Sequence, residues 1–373
     1  MNSDPIPLVD LRAQYAEIRE EVEGDLLRVL SDACYVQGPD VSAFEQEYAD
    51  FVGVRHCVGV ANGTDAVEIA LRASGVRSGD EVILPANTFI ATAEAVCRLG
   101  AVPVLADVLP DTLLIDPDSV QAVRTRRTRA VVPVHLFGQV ARVEELEELV
   151  NDGIAIVEDA AQAQGATRNG RVAGSLGQAA ATSFYPGKNL GAAGDAGALT
   201  TSDDGVARAA RLLASHGSLT KYEHDVVGFN SRLDTLQAVM LRHKLRRLNE
   251  WNDRRRSAAA LYGKLLRGLD RVELPTIDPS GVPVWHLYVV QVACRGEVLA
   301  RLHEAGIGAG IHYPTPLHKT RAFRALGGVG DFPVAERASD RILSLPMHPH
   351  LTEQQQIRVA EALTAALGMR ASA

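Results

Sequence analysis

At 373 residues the chain has room for two or three domains, and its 46% hydrophobic and 23% charged residues exclude the disordered and collagen-like classes. A net charge of −8 withholds the basic field that nucleic-acid binding requires. Four cysteines without C-x-x-C spacing, no basic-then-apolar leader at the start and no run approaching ~18 apolar residues point to a cytoplasmic protein with free thiols and no membrane span.

The elements are expected in the following order. Helical patterns cover residues 8–31 and 41–52, separated by a Gly38-Pro39 turn. Apolar strand candidates follow at 57–61, 81–85, 102–107, 130–136, 154–159, 180–185 and 197–201. Helices are expected between them at 64–74, 88–99, 117–123 and 143–151. Short Val- and Ile-rich strands with helical crossovers predict an α/β fold with a mostly parallel sheet covered on both faces. Ligands in such sheets sit at the carboxyl ends of strands. A long helix at 231–266 leads to a change of pattern, with a strand at 285–293 and helices at 297–305 and 353–367. The expected division is an N-terminal arm (1–55), a large domain (56–268) and a smaller C-terminal α/β domain (269–373).

Lysine is scarce: of 38 Lys and Arg residues only Lys188, Lys221, Lys244, Lys264 and Lys319 are lysines. Arginine keeps its proton, whereas a lysine in an apolar pocket can lose it and attack a carbonyl. Lys188 follows an apolar strand in Ser183-Phe184-Tyr185-Pro186-Gly187-Lys188, and glycines follow at 191, 194 and 197. An ordinary loop lysine would fit the same spacing. A P-loop would not, because Thr182 and Asn189 stand where it needs Gly and Ser or Thr.

Two further segments carry candidate chemistry. Glu158-Asp159 ends an apolar strand 29 residues before Lys188, suited to pairing with the ring nitrogen of pyridoxal 5′-phosphate (PLP) or to holding Mg²⁺. Strand, glycine turn and helix start meet in Val58 to Ala66, so the N–H groups of Gly63, Thr64 and Asp65 are placed to bind a phosphate. Plain capping by Thr64 or Asp65 is the other reading, and the Asp65 side chain is expected to turn away from an anion.

Together, Asn62-Gly63-Thr64-Asp65-Ala66, Pro85-Ala86-Asn87-Thr88-Phe89, Glu158-Asp159-Ala160-Ala161-Gln162, Ser183 to Lys188 and Gly228 to Asp234 resemble the DegT family of sugar-nucleotide aminotransferases. The resemblance implies a fold-type I PLP enzyme, a homodimer with active sites at the subunit interface, and L-glutamate as amino donor. It implies a Schiff base between Lys188 and the cofactor, Asp159 on the pyridine nitrogen, Gln162 on the ring's phenolic oxygen and Phe89 on the ring face. Phe89 would serve equally as a core aromatic. Ser183 would bind the phosphate, joined by Asn230 of the neighbouring subunit. The amine of Lys188 would move the proton that converts PLP to pyridoxamine phosphate. Gln164 departs from a histidine often found there, which implies altered hydrogen bonding behind the site.

The stretch from Ser215 to His224 is similar to that of aminotransferases acting at C3 of dTDP-linked 3-keto-6-deoxyhexoses. By that likeness Lys221 would meet the diphosphate, and Tyr222 and His224 the sugar hydroxyls, unless the loop has no ligand role. His312, Tyr313 and His318 resemble a loop that closes over the site. Metal is not expected, because no helical H-E-x-x-H spacing occurs. Transamination at C4, a keto-cyclitol substrate and a non-catalytic PLP-binding regulator stay open as alternatives.

Overall fold

A computed structural model describes residues 4–324 and 330–368. Two helices, α1 (Leu11–Asp32) and α2 (Pro39–Val52), open the chain. An alternating series follows: β1 (His56–Val60), α3 (Gly63–Ala73), β2 (Glu81–Pro85), α4 (Ile90–Leu99), β3 (Val102–Ala106), α5 (Pro117–Val123) and β4 (Thr128–Val131). After α6 (Glu148–Asn151) come β5 (Ala155–Asp159), a short ribbon of β6 (Thr167–Arg168) and β7 (Arg171–Val172), then β8 (Ala179–Ser183) and β9 (Gly197–Thr201). Helices α7 (Asp204–Ala214) and α8 (Thr235–Leu265) precede β10 (Val272–Glu273), β11 (Gly281–Val282), β12 (Tyr288–Val292) and α9 (Arg295–Glu304). Towards the end, β13 (Ile342–Leu345) and a helix at Glu353–Ala366 follow.

Seven strands form the main sheet in the order β1-β9-β8-β5-β4-β2-β3, and only β9 runs against the rest. The expected mostly parallel sheet flanked by helices is therefore present. One large apolar cluster joins α3, α4 and α7 to the sheet through Val67, Ile69, Val96, Val206, Leu84 and Leu199. A second packs β12, β13, α9 and the C-terminal helix around Tyr262, Val290, Leu343 and Leu363. A three-stranded sheet, β10-β12-β13, lies within the latter.

Differences from the sequence reading have local causes. The strand expected at 130–136 keeps its ladder only to Val131. Pro133 has no N–H to donate, and beyond it a single bridge, Val134 to Asp159, is left. The helix expected from residue 88 begins at Ile90, because Phe89 is extended (φ −64°, ψ 148°). The stretch 143–151 divides into a 3₁₀ turn, Val143–Leu146, and the short α6. Helix α7 was not anticipated, although Asp203 caps it through the N–H groups of Gly205 and Val206 and Val206, Ala207, Ala210 and Ala214 form its buried stripe.

Register brings three loops together at one edge of the sheet. Gly197 of β9 lies opposite both Val60 of β1 and Ser183 of β8. A Cβ on Gly197 would come within 2.5 Å of the Asn62 carbonyl, so glycine is what lets the start of α3 lie over β9.

Candidate active site

The acidic strand end divides its two carboxylates between opposite faces. Glu158 points into the fold and is fully buried. It accepts hydrogen bonds from His135 Nε2 (2.8 Å) and from the N–H groups of Gly174 (2.8 Å), Leu176 (2.7 Å) and Gly177 (2.8 Å). Burial works to raise its pKa, but His135 and these donors bring it below the usual value. Asp159 faces a cavity of about 450 Å³. Its Oδ2 accepts from Thr92 Oγ1 at 2.8 Å and its Oδ1 from the Ala161 N–H at 3.2 Å, which leaves lone pairs for a further donor. With Glu158 saturated, the Mg²⁺ reading has lost one of its two carboxylates. Among the described residues no group of three or more His, Cys, Asp or Glu is placed to hold a metal ion.

Lys188 lines the same cavity, held by a tight turn in which its N–H donates to the Tyr185 carbonyl at 2.8 Å. The turn closes because Gly191 lies where a Cβ would be 2.3 Å from the Pro186 carbonyl oxygen. Dense surrounding protein pushes the Lys188 pKa down to about 8, against the opposing pull of the Asp159 charge. An amine so placed is largely neutral at mildly alkaline pH and able to act as nucleophile or base.

The start of α3 forms the other wall. Asn62 caps the helix by accepting from the Asp65 N–H at 2.8 Å, a role the sequence reading had offered to Thr64 or Asp65. The Asp65 N–H is thereby engaged. Gly63 and Thr64, in the first turn with no intrahelical acceptor, are the donors left for an anion. The Asp65 side chain does turn away, to Arg98 (3.0 Å) and Ser231 (2.8 Å), instead of capping. Gly63 packs so closely on Ser183 that an added Cβ would lie 2.5 Å from the serine Cβ and 3.0 Å from its Oγ. Helix N–H groups and a serine hydroxyl therefore share one small cradle.

The remaining predicted residues divide in two. Phe89, Gln162, His312 and Tyr313 line the Lys188 cavity. Phe89 is 49% exposed, with its ring centroid 5.1 Å from that of Tyr313. Gln162 accepts from the Phe137 N–H (2.7 Å) and donates to the Tyr313 hydroxyl (3.1 Å). Burial pushes the Tyr313 pKa up to about 12, and burial and Lys188 lower that of His312. Lys221, Tyr222 and His224 line a separate cavity of about 830 Å³, while Asn230 is exposed and bound to Arg232 at 2.7 Å. One chain does not bring these four to Lys188. His318 is held away as well, by Glu336 at 2.8 Å.

Sequence reasoning missed Thr92, His286 and the Leu8-Val9 arm, all of which line the Lys188 cavity. Thr92, in the first turn of α4, sits four residues after Thr88, with 3.1 Å between the hydroxyls, and that spacing was the available signal. Gln164 Nε2 reaches Thr182 Oγ1 (3.0 Å) and the Ser183 carbonyl (2.8 Å), steadying the strand end that carries the serine.

Fold and site together define a class, the aminotransferases of PLP-dependent fold type I. The chain belongs to the DegT/DnrJ/EryC1/StrS aminotransferase family, whose model matches residues 16–364. It is 45% identical to the erythromycin biosynthesis sensory transduction protein EryC1 of Saccharopolyspora erythraea, over 96% of this chain and 99% of that one. It is 44% identical to a dTDP-3-amino-3,4,6-trideoxy-alpha-D-glucose transaminase of Streptomyces venezuelae, over 96% and 95% respectively. Among solved structures it matches S. venezuelae DesV in complex with a ketimine intermediate, with a TM-score of 0.96 and 43% identity over 99% of this chain and 100% of that one.

The residues present fit pyridoxal phosphate. The cradle of Gly63, Thr64 and Ser183 suits the phosphate, Asp159 can accept from a protonated ring nitrogen, and Lys188 supplies an amine for the aldehyde.

Proposed function

We propose that this aminotransferase moves an amino group from L-glutamate to C3 of a dTDP-linked 3-keto-6-deoxyhexose, in the cytoplasm and as a homodimer. The observation that carries the reading is the convergence of Lys188, Asp159 and the Gly63–Ser183 cradle on one cavity. The identity to a dTDP-amino-sugar transaminase supports the substrate class. Lys188 carries the cofactor linkage and, once free, takes the proton from the donor's Cα. Asp159, steadied by Thr92, holds the ring nitrogen protonated, and Gly63, Thr64 and Ser183 hold the phosphate. Phe89 would cover a ring face, and Gln162 would offer its remaining N–H to the ring oxygen. Bound there, the cofactor supplies an electron-poor ring that accepts charge from the carbon losing its proton. Asn230, Lys221, Tyr222 and His224 serve the site of the other subunit, with His312 and Tyr313 meeting the sugar from within the chain.

The purified protein with PLP is expected to show a visible absorbance band that borohydride abolishes, with the reduced label on Lys188 by mass spectrometry. Glutamate should then convert the bound cofactor to pyridoxamine phosphate, and a dTDP-3-keto-6-deoxyhexose should return it. A bound cofactor that glutamate leaves unchanged would favour the regulator, and amination of a 4-keto sugar or keto-cyclitol instead would move the substrate assignment.

A further inference from the structure

Beside Lys188 the cavity holds a second nitrogen base that none of the motifs uses. His286 is buried, lines that cavity, and places Nδ1 3.2 Å from Oδ1 of Asn189. The amides behind it decide which ring nitrogen carries hydrogen. Asn252 Nδ2 donates to the Gln164 carbonyl at 2.9 Å, so its Oδ1 is the atom turned to Asn189. Asn189 Nδ2 donates to that Oδ1 and to the Val284 carbonyl, both at 2.9 Å. Both amide hydrogens of Asn189 are thus engaged with oxygens, and its own Oδ1 can only accept. His286 Nδ1 therefore carries the hydrogen, and Nε2 presents a bare lone pair.

Burial keeps this ring neutral, pushing its pKa well down, helped by the positive charges of Lys188, Arg255 and His312 around it. The backbone is fixed too. A Cβ on Gly138 would lie 2.8 Å from the backbone nitrogen of His286 and 2.9 Å from that of Trp285, so only glycine permits the approach. Asn189 directly follows Lys188, and among the described residues the Lys188 amine has no hydrogen-bond partner.

We propose that His286 Nε2 is the acceptor that receives the Lys188 amine whenever that amine is free, making His286 a positioning residue for the proton-carrying lysine. The inference rests on the role given to Lys188 above. An acceptor beside an ammonium favours its charged form, so His286 would let Lys188 hold a proton that burial would otherwise remove. With its own hydrogen held by Asn189, the imidazole orients that proton without competing to supply one.

The test uses full-length protein carrying ¹⁵N-histidine and ¹³C-lysine, with and without pyridoxamine phosphate, the form that leaves Lys188 free. Five lysines in the chain make each ε-methylene signal separable. The parent is expected to show neutral His286 with hydrogen on Nδ1 at about pH 7. His286→Leu and His286→Phe should lower the Lys188 midpoint by about 1 and slow the glutamate half-reaction about tenfold. His286→Gln, which keeps an acceptor oxygen, should recover most of both. Lys244, buried elsewhere, should keep its own midpoint and so report an intact fold. A hydrogen on Nε2 in the parent overturns the proposal with no variant needed, and so does an unmoved Lys188 midpoint in a folded apolar variant. The tautomer is read without cofactor, so failure to bind pyridoxamine phosphate would count against the cofactor reading and leave this result standing.

Discussion

Lys188 acts through its setting, since burial lowers its pKa to about 8 while the Asp159 charge keeps it from falling further. Lys188→Arg keeps a cation but loses the amine that can bond an aldehyde. That variant is expected to lose the visible cofactor band and about 10³-fold or more of its turnover, read by absorbance and by product formation from glutamate. Thr92 tests from behind the contact proposed between Asp159 and the ring nitrogen. Thr92→Val removes the 2.8 Å donor to Asp159, and since a hydrogen bond to a charged group contributes roughly 1.5–3 kcal/mol, cofactor affinity should fall about tenfold or more by equilibrium dialysis. Lys188 and Asp159 were legible because each broke a local rule, the first of five lysines in an arginine-rich chain and a carboxylate ending an apolar strand. Thr92 and His286 broke none, and only the folded chain shows what their polar atoms face.

At the scale of elements, the helix start at Gly63 depends on its cap. Asn62→Ala should cost about 1 kcal/mol of stability in urea unfolding and weaken cofactor binding, because the Asp65 N–H loses its acceptor and the first turn loosens. Lys244 joins three elements: its amine donates to Gln14 of α1 at 2.9 Å and to the Gly191 carbonyl of the Lys188 turn at 2.7 Å, from its own place on α8. Burial lowers its pKa from 10.5 to about 8. Between those values the unfolded chain binds a proton that the native state lacks, so this group's contribution rises with pH across the window and is lost as pH falls through it. Urea unfolding of the parent against Lys244→Met should show their difference moving about 3 kcal/mol in the parent's favour from pH 8 to 10.5. Strand and helix order could be read from periodicity because burial on both faces writes itself into Val- and Ile-rich runs. The ends could not, where one proline (Pro133) or one extended residue (Phe89) decides.

For the whole molecule, the parallel sheet was legible, and so was the strand edge at which ligands collect. What sequence order alone could not show is that the motifs sort into two places. Lys188, Asp159, Ser183 and Phe89 meet in one cavity, whereas Lys221, Tyr222 and His224 line another and Asn230 lies outside both. Exposed apolar residues accompany that second group, with Val227 97% and Tyr222 82% accessible. A loop that spends apolar surface on water in one chain is suited to burial against a second copy. If it completes the partner's site, defects in the two groups must complement. Lys188→Ala and Asn230→Ala chains, each inactive or nearly so alone, are unfolded together, mixed and refolded. Random pairing makes half the dimers mixed, each with one site carrying both defects and one carrying neither, so roughly a quarter of parent activity should return. Light scattering should report a dimer throughout. No recovery from a mixture shown to contain mixed dimers would mean that each chain furnishes its own site alone, and the loop from Ser215 to Asn230 would then have to move to reach it.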